Sequence, residues 1–176
     1  YVDDGPKVTG ETPVDRMWRR WAEARGTFEV FKAKELIPYI ATWDDHDFGI
    51  NDGDAAGNVF KTEAAEVFRT YFAQDNIPGV YENGPGVSSV FKAFGTRWYL
   101  MDNRTWRGLD EGNGVETHWG VEQERWLQQG IRSSDDVTFM MSGSQFYGGY
   151  MPGESYERNQ PDSFRLFVET LRSVRA

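Results

Sequence analysis

The chain has 176 residues, a length that suits one folded domain over residues 1–176, and its seven Trp, eight Tyr and twelve Phe can supply a substantial core. The net charge is −9 and Lys or Arg form no dense run, so nucleic acid and anionic membrane surfaces are poor partners. The absence of cysteine excludes disulfides, thiolate metal sites and cysteine nucleophiles. No apolar run reaches the roughly 18 residues that a membrane span needs.

Apolar residues recur at helical spacing in several segments. The first predicted helix follows Thr12 as its N-cap, has Pro13 at its first position and ends near Gly26. The other predicted helices cover residues 28–35, 61–74, 121–131 and 161–174.

Short apolar runs predict the strands. Residues 38–43 and 136–144 are predicted as buried strands, and residues 87–106 as a hairpin that turns around Gly95 and Thr96. Residues 76–86 are rich in turn formers and 108–114 are predicted as a loop. Strands that alternate with helices predict a layered α/β fold.

The stretch "IATWDDHDFGINDGD", residues 40–54, places five aspartates and His46 at the end of a predicted strand. Two carboxylates 4 Å apart repel by about 1 kcal/mol in water and about 4 kcal/mol at an effective dielectric near 20. Buried carboxylates therefore need cations or protons. Hard oxygen ligands suit Ca, Mg, Mn or Fe, and His46 offers a nitrogen ligand or an acid–base group. A solvated acidic turn is the alternative. The stretch does not match an EF-hand calcium loop, because the twelfth residue counted from Asp45 is Ala56, where an EF-hand has Glu.

A second polar group follows the predicted hairpin. Asp102 and Arg104 come directly after its second strand, and Arg107 lies one helical turn further on. Arginine in this position can bind phosphate bidentately, although an Asp–Arg pair that holds a loop is the alternative. His118 is predicted to cap a helix or lie on the surface. Ser144 does not sit in a G-x-S-x-G elbow, which argues against serine hydrolase chemistry.

Several of these motifs match one family. "ATWDDHDFGIND" resembles the signature of the alkaline phosphatase D family, the PhoD-like metallophosphoesterases. "LMDNRTWR" is similar to the family's Asp-Thr-Arg-x-Tyr-Arg element, with Asn103 in place of Thr and Trp106 in place of Tyr. Residues 121–146 resemble its Gln-x-x-Trp-Leu helix and following strand, and "YVDD" resembles the tail of its Gly-Asp-x-x-Tyr-x-Asp motif. The resemblance covers nearly the whole chain.

This resemblance implies part of an αββα sandwich that hydrolyses phosphomonoesters or phosphodiesters with a metal-activated water. It implies Tyr1 and Asp45 as metal ligands, His46 as the group that stabilises the transition state or protonates the leaving group, and Arg104 as a phosphate contact. Further possible ligands, or residues around the metal, are Asp3, Asp44, Asp47 and Asp102. The expected metals are calcium and iron, with manganese, magnesium or zinc as alternatives.

The sequence also departs from the family pattern. The Gly-Asp half of the first motif and the later Gly-Asp-Val-His metal motif are not in the 176 residues. A two-metal site needs roughly six to ten protein ligands from several loops. We therefore expect the chain to be the central part of a catalytic domain, with an incomplete metal centre on its own. Family members are often exported, so the resemblance implies an extracellular or periplasmic location.

Two other functions remain open from the sequence. A non-catalytic calcium- or carbohydrate-binding module would use the acidic loop for structural calcium and exposed Trp or Tyr side chains for stacking on sugars. A glycosidase would use two of the aspartates. Their close spacing and the lack of a separate partner carboxylate argue against the glycosidase.

Overall fold

The computed structural model describes residues 7–35, 37, 39–72, 75–148 and 152–174, and within them the chain is a mixed α/β protein. Four strands form one sheet in the order β1-β2-β3-β4: β1 Tyr81–Asn83, β2 Ser89–Ala93, β3 Thr96–Met101 and β4 Val137–Ser142. The helices are α1 Pro13–Thr27, α2 Asp45–Phe48, α3 Lys61–Phe72, α4 Val121–Arg132, α5 Tyr156–Asn159 and α6 Pro161–Val174. The α/β class is therefore confirmed. Among the described residues, no helix is both long enough and apolar enough to cross a membrane.

The predicted start of α1 is confirmed in detail. Thr12 Oγ1 accepts a hydrogen bond from the Asp15 backbone N–H at 3.1 Å, and the Asp15 carboxylate accepts one from the Thr12 N–H at 3.1 Å. This reciprocal pair is a capping box, and Pro13 occupies the first helical position. The predicted helices at 61–74, 121–131 and 161–174 are confirmed as α3, α4 and α6, with residues 73–74 outside the described residues.

The hairpin of β2 and β3 is also confirmed. Its turn residues Phe94 and Gly95 both have positive φ, 54° and 71°, as a two-residue turn of the hairpin type requires. Thr96, predicted in the turn, is the first residue of β3. The third strand pairs with β4 in parallel, so the carboxyl ends of both strands, Met101 and Ser142, lie at the same edge of the sheet.

One strand prediction was wrong, and two other segments differ in part from what was predicted. Residues 39–43 form no strand: the segment passes the end of β3, where Thr42 Oγ1 donates to the Met101 carbonyl at 2.8 Å, and of this run only Trp43 is buried. Pro38 lies outside the described residues. The turn-rich 76–86 segment contributes β1, which forms through its pairing with β2. The short helix predicted within residues 28–35 is present as the 3-10 helix Glu29–Lys32.

The prediction of a fully buried β4 was also wrong. Its side chains alternate, and Val137, Phe139 and Met141 are 57%, 43% and 47% exposed. Strand residues point alternately to the two faces of a sheet, and β4 lies at the edge of this one. Across the strands on the same face, the Trp98 ring stacks between Phe91 and Phe139, with centroid distances of 6.0 and 4.3 Å.

The core consists of two clusters. The first joins α1 and α3 to the segment that enters the acidic stretch, and its buried members are Met17, Trp43, Phe48, Ala64, Val67, Phe68 and Val87. The second lies between the sheet and α4 and α6, and its buried members are Tyr99, Met101, Trp119, Leu127, Ile131, Tyr156 and Phe167. The carboxyl edge of β3 and β4 lies where these clusters meet, because Trp43 belongs to one and Met101 to the other.

Candidate functional site

The candidate site is built at the carboxyl edge of β3 and β4, where three polar loops meet. Gly143, directly after β4, makes this close approach possible. A Cβ at this position would lie 2.5 Å from the Trp43 carbonyl oxygen and 2.6 Å from Asp44 Cβ, distances that real Cβ atoms do not show. Glycine therefore allows the loop after β4 to pack directly on the start of the acidic stretch.

Arg104 ties the acidic stretch to the loop after β3. Its guanidinium is buried, with 2% of the residue exposed, and its Nε and Nη2 both donate to Asp44 Oδ1, the former at 2.9 Å. Its Nη1 donates to the Gly53 carbonyl at 2.9 Å. The desolvation of the two charges is thus offset by charge-assisted hydrogen bonds on both sides of the guanidinium.

Donor groups converge on the Ser144 hydroxyl. Asn103 Nδ2 donates to Ser144 Oγ at 2.5 Å and to Asp44 Oδ1 at 2.9 Å. Arg104 Nη2 and Arg107 Nη1 approach the same hydroxyl at 3.3 and 3.4 Å. The hydroxyl in turn donates to Asp44 Oδ1 at 3.4 Å. The site is thus rich in N–H donors and has one carboxylate at its centre.

Arg107 carries a buried charge with little compensation. The residue is 7% exposed, and burial followed by the charge of Arg104 lowers its pKa. Among the described residues, its guanidinium makes one hydrogen bond, the long contact to Ser144, and no carboxylate lies within 4 Å of it. Asp44, Asp52 and Asp45 raise the Arg107 pKa from a distance but form no ion pair with it, so its guanidinium keeps N–H donors that can bind an anion.

Asp102 holds the loop that carries Asn103 and Arg104. It is completely buried, and its oxygens accept five hydrogen bonds, from Trp43 Nε1, the backbone N–H groups of Val87, Arg104 and Thr105, and Thr105 Oγ1. From α4, Gln123 Oε1 accepts from the Asp102 N–H and its Nε2 donates to the Asp102 carbonyl, both at 2.8 Å. This arrangement suits a residue that fixes the loop.

Local hydrogen bonds also engage the other aspartates of the acidic stretch. The Asp45 carboxylate accepts from the His46 and Asp52 backbone N–H groups, both at 2.9 Å. Burial alone would raise the pKa of Asp45, but these two bonds and the charge of Arg104 lower it overall. Asp47 completes a capping box with Asp44, and burial raises the pKa of its carboxyl to about 6. The acidity of the stretch therefore does not by itself require a metal.

The structure brings some of the predicted residues together and leaves others unplaced. Asp44 and Arg104 are in direct contact, and Asp45 and His46 lie in the first turn of α2, both half-buried. Tyr1 and Asp3, the remaining residues that the motif suggests around a metal, lie outside the described residues. Within the part of the chain that the structure describes, no group of three or more His, Asp or Glu side chains is arranged to hold a metal ion.

The prediction for His118 was wrong. The side chain is fully buried rather than at the surface, and its ring stacks on Tyr156 with a centroid distance of 4.2 Å and an interplanar angle of 16°. Its Nδ1 lies 2.9 Å from Gln160 Oε1. Burial lowers its pKa to about 3. The sequence did not indicate that Gln123 would bind the Asp102 backbone or that several N–H donors would converge on Ser144. Both arrangements depend on contacts between segments that are distant along the chain.

Comparison with known proteins adds no relative. A scan against protein-family models, a search of curated proteins and a search of solved structures each gave no match.

Proposed function

We propose that this chain forms the phosphate-binding part of a metal-dependent phosphate ester hydrolase of the alkaline phosphatase D kind, acting on phosphomonoesters or phosphodiesters. One observation carries the proposal: two buried guanidinium groups, of Arg104 and Arg107, converge on Ser144, and the one carboxylate in contact with them among the described residues, Asp44, is bound to Arg104 alone. Phosphate esters are among the anions that such planar, multiply donating groups bind bidentately.

The charge balance supports an anionic ligand. An uncompensated charge in a buried site costs several kcal/mol, which a bound anion offsets. Arg107 has no ion-pair partner among the described residues and is compensated only by the more distant charges of Asp44, Asp52 and Asp45, whereas Arg104 is paired with Asp44. The position of the arginines at the edge of the sheet also supports a ligand site, because ligands of open α/β sheets bind beyond the carboxyl ends of the strands. Here those ends belong to the parallel pair β3 and β4.

The chain's own residues have distinct parts in this proposal. Arg104 and Arg107 bind the non-bridging oxygens and stabilise the negative charge that develops on them. His46 protonates the leaving oxygen. Asn103 and Ser144 complete the donor set beside Asp44.

A metal is expected from the resemblance, with calcium or iron first and manganese, magnesium or zinc as alternatives. Of the two residues that the resemblance implies as ligands, the described part of the chain contains Asp45 alone, and it assembles no group of three side chains that could hold a metal. The described residues are therefore insufficient by themselves, and we derive no catalytic step through a metal. The resemblance implies Tyr1 as a further ligand, with Asp3 as a possible one, and both lie outside the described residues.

The apolar face of the sheet supports the sandwich that the resemblance implies. Phe91, Trp98 and Phe139 form a stacked aromatic row across three strands, and Phe139 is still 43% exposed. The opposite face is packed against α4 and α6. A second sheet would pack on the aromatic row in an αββα sandwich, at the usual separation of about 10 Å.

Phosphate binding tests the proposal most directly, because it does not depend on a metal. We expect inorganic phosphate to bind the wild-type chain in isothermal titration, and Arg107→Met to bind it at least about tenfold more weakly. Arg107→Lys keeps the positive charge but loses the planar guanidinium with its paired donors, so its phosphate affinity should lie between those of wild type and Arg107→Met. The matched control is Arg165→Met, at an exposed arginine, which should bind like wild type.

Circular dichroism establishes that each variant is folded before its affinity is compared. Equal phosphate affinity of wild type and Arg107→Met would overturn the proposal. Turnover of 4-nitrophenyl phosphate and bis(4-nitrophenyl) phosphate then distinguishes monoesterase from diesterase activity. Sugar or calcium binding without phosphate binding would favour the binding-module alternative.

A further inference from the structure

His118 is a buried imidazole that the proposed reaction does not use. Its Nδ1 faces Gln160 Oε1 at 2.9 Å, and one face of its ring is covered by Tyr156. Gln160 is itself held at the end of α5, where its backbone N–H donates to the Tyr156 carbonyl at 3.0 Å. The imidazole is therefore fixed in position and orientation.

The tautomer of His118 follows from this contact. An amide oxygen can only accept, so the proton of the neutral imidazole lies on Nδ1 and Nε2 carries a lone pair. Among the described residues, Nε2 has no hydrogen-bond partner although it is buried. A buried acceptor left without a donor costs about 1–3 kcal/mol, so a donor is expected to reach it.

The backbone places His118 beside Arg107. The Gly108 N–H donates to the Thr117 carbonyl at 2.9 Å and the Thr117 N–H donates to the Leu109 carbonyl at 2.8 Å, so the segments that carry the two side chains run next to each other. After burial and the bond to Gln160, the charges that act on the pKa of His118 are those of Arg107 and Arg104. No carboxylate is among those charges, so the imidazole has no anion to favour its protonation.

Resting on the proposed function, we propose that neutral His118 is the positioning residue for Arg107: its Nε2 lone pair accepts a hydrogen bond from one bound water, which itself accepts an Arg107 N–H, and this holds the guanidinium toward the phosphate. Arg107 needs a further contact to hold its guanidinium in place, because among the described residues its only hydrogen bond is the 3.4 Å contact to Ser144. A long side chain that is held before binding loses less conformational entropy when the anion arrives.

Two substitutions of His118 distinguish the role of Nδ1 from that of Nε2. His118→Asn can keep the bond to Gln160 but removes the acceptor at the Nε2 position. His118→Gln keeps an acceptor near the Nε2 position and loses the short bond to Gln160. We expect His118→Asn to weaken the binding of inorganic phosphate about tenfold, and His118→Gln to stay close to wild type. In an Arg107→Met background, His118→Asn should have no further effect on phosphate affinity.

A role in packing alone predicts a different result. Both variants would then weaken phosphate binding equally, in proportion to their loss of stability, and this result would overturn the inference. Wild-type affinity in His118→Asn would overturn it as well.

Nitrogen NMR gives a second readout that needs no ligand. We expect the Nε2 resonance of His118 to shift in Arg107→Met, and an unmoved resonance would contradict the inference. If the wild-type chain binds no phosphate, the proposed function fails, and the nitrogen resonance still decides whether His118 holds Arg107.

Discussion

The buried guanidinium of Arg104 forms an ion pair with Asp44, a residue 60 positions away in the sequence whose side chain is 35% exposed. The pair joins the loop after β3 to the start of α2. It also leaves Arg107 as the cation of the site without a carboxylate partner in the described residues. The same contact therefore stabilises the fold and sets the charge that an anion would meet.

Breaking this pair should cost stability. Asp44→Asn leaves the buried Arg104 charge uncompensated, and we expect the free energy of unfolding to fall by about 2 kcal/mol. Urea denaturation measures this. Asp162→Asn is the matched control, because its pair with Arg165 is 71% and 67% exposed at the side chains and should contribute less than about 0.5 kcal/mol. Equal effects of the two substitutions would show that burial does not strengthen the Arg104 pair.

Gly143 should not tolerate a side chain. Gly143→Ala would force its Cβ against the Trp43 carbonyl and Asp44, so we expect a loss of about 1–3 kcal/mol in the free energy of unfolding. Gly26→Ala provides a control of opposite sign. It lies within α1 with nothing within 4 Å of the added atom, and it should stabilise by about 0.5–1 kcal/mol. A neutral Gly143→Ala would mean that the loop after β4 is not packed on Asp44.

Glu124 should make stability fall as the pH rises. Burial, and then the charge of Glu111, raise the pKa of Glu124 from its ordinary value of 4.5 to about 7. The folded state therefore binds this proton more tightly than the unfolded state, and stability is lost between pH 4.5 and 7.

Glu124→Gln removes that dependence. We expect the variant to exceed wild type by more than about 1 kcal/mol in the free energy of unfolding at pH 8, and to match it at pH 4. Thermal or urea denaturation across this range provides the measurement. Parallel pH profiles for the two proteins would refute the assignment.

His46 should affect turnover according to the leaving group. In an active preparation, His46→Ala removes the proton donor, so kcat should fall by about 10²–10⁴-fold for phenyl phosphate, whose leaving oxygen is strongly basic. The loss should be smaller for 4-nitrophenyl phosphate, since its leaving group needs less protonation. Equal losses for both esters would contradict a role as general acid. Chelation should stop turnover of both esters and leave phosphate binding to the arginine pair measurable.

Local sequence signals predicted the long helices and the hairpin. The capping box of Thr12 and Asp15, and apolar residues every three or four positions, act within one or two turns, so they do not depend on the rest of the fold. The polar residues at the ends of β3 and β4 could also be recognised locally, because they directly follow apolar runs in the sequence. The α/β class and the rough position of the site therefore followed from the sequence.

Only the tertiary structure decided how those residues meet. The parallel pairing of β3 with β4 brings Ser144 to Arg104, and the packing of the loops around Asp102 and Gly143 brings Asp44 to both. The burial of His118 depends in the same way on Tyr156 and Gln160, about 40 residues away. Spacing along the chain records which side chains share a face of one element. It does not record which elements pack together, because that depends on the free energy of contacts between segments distant in sequence.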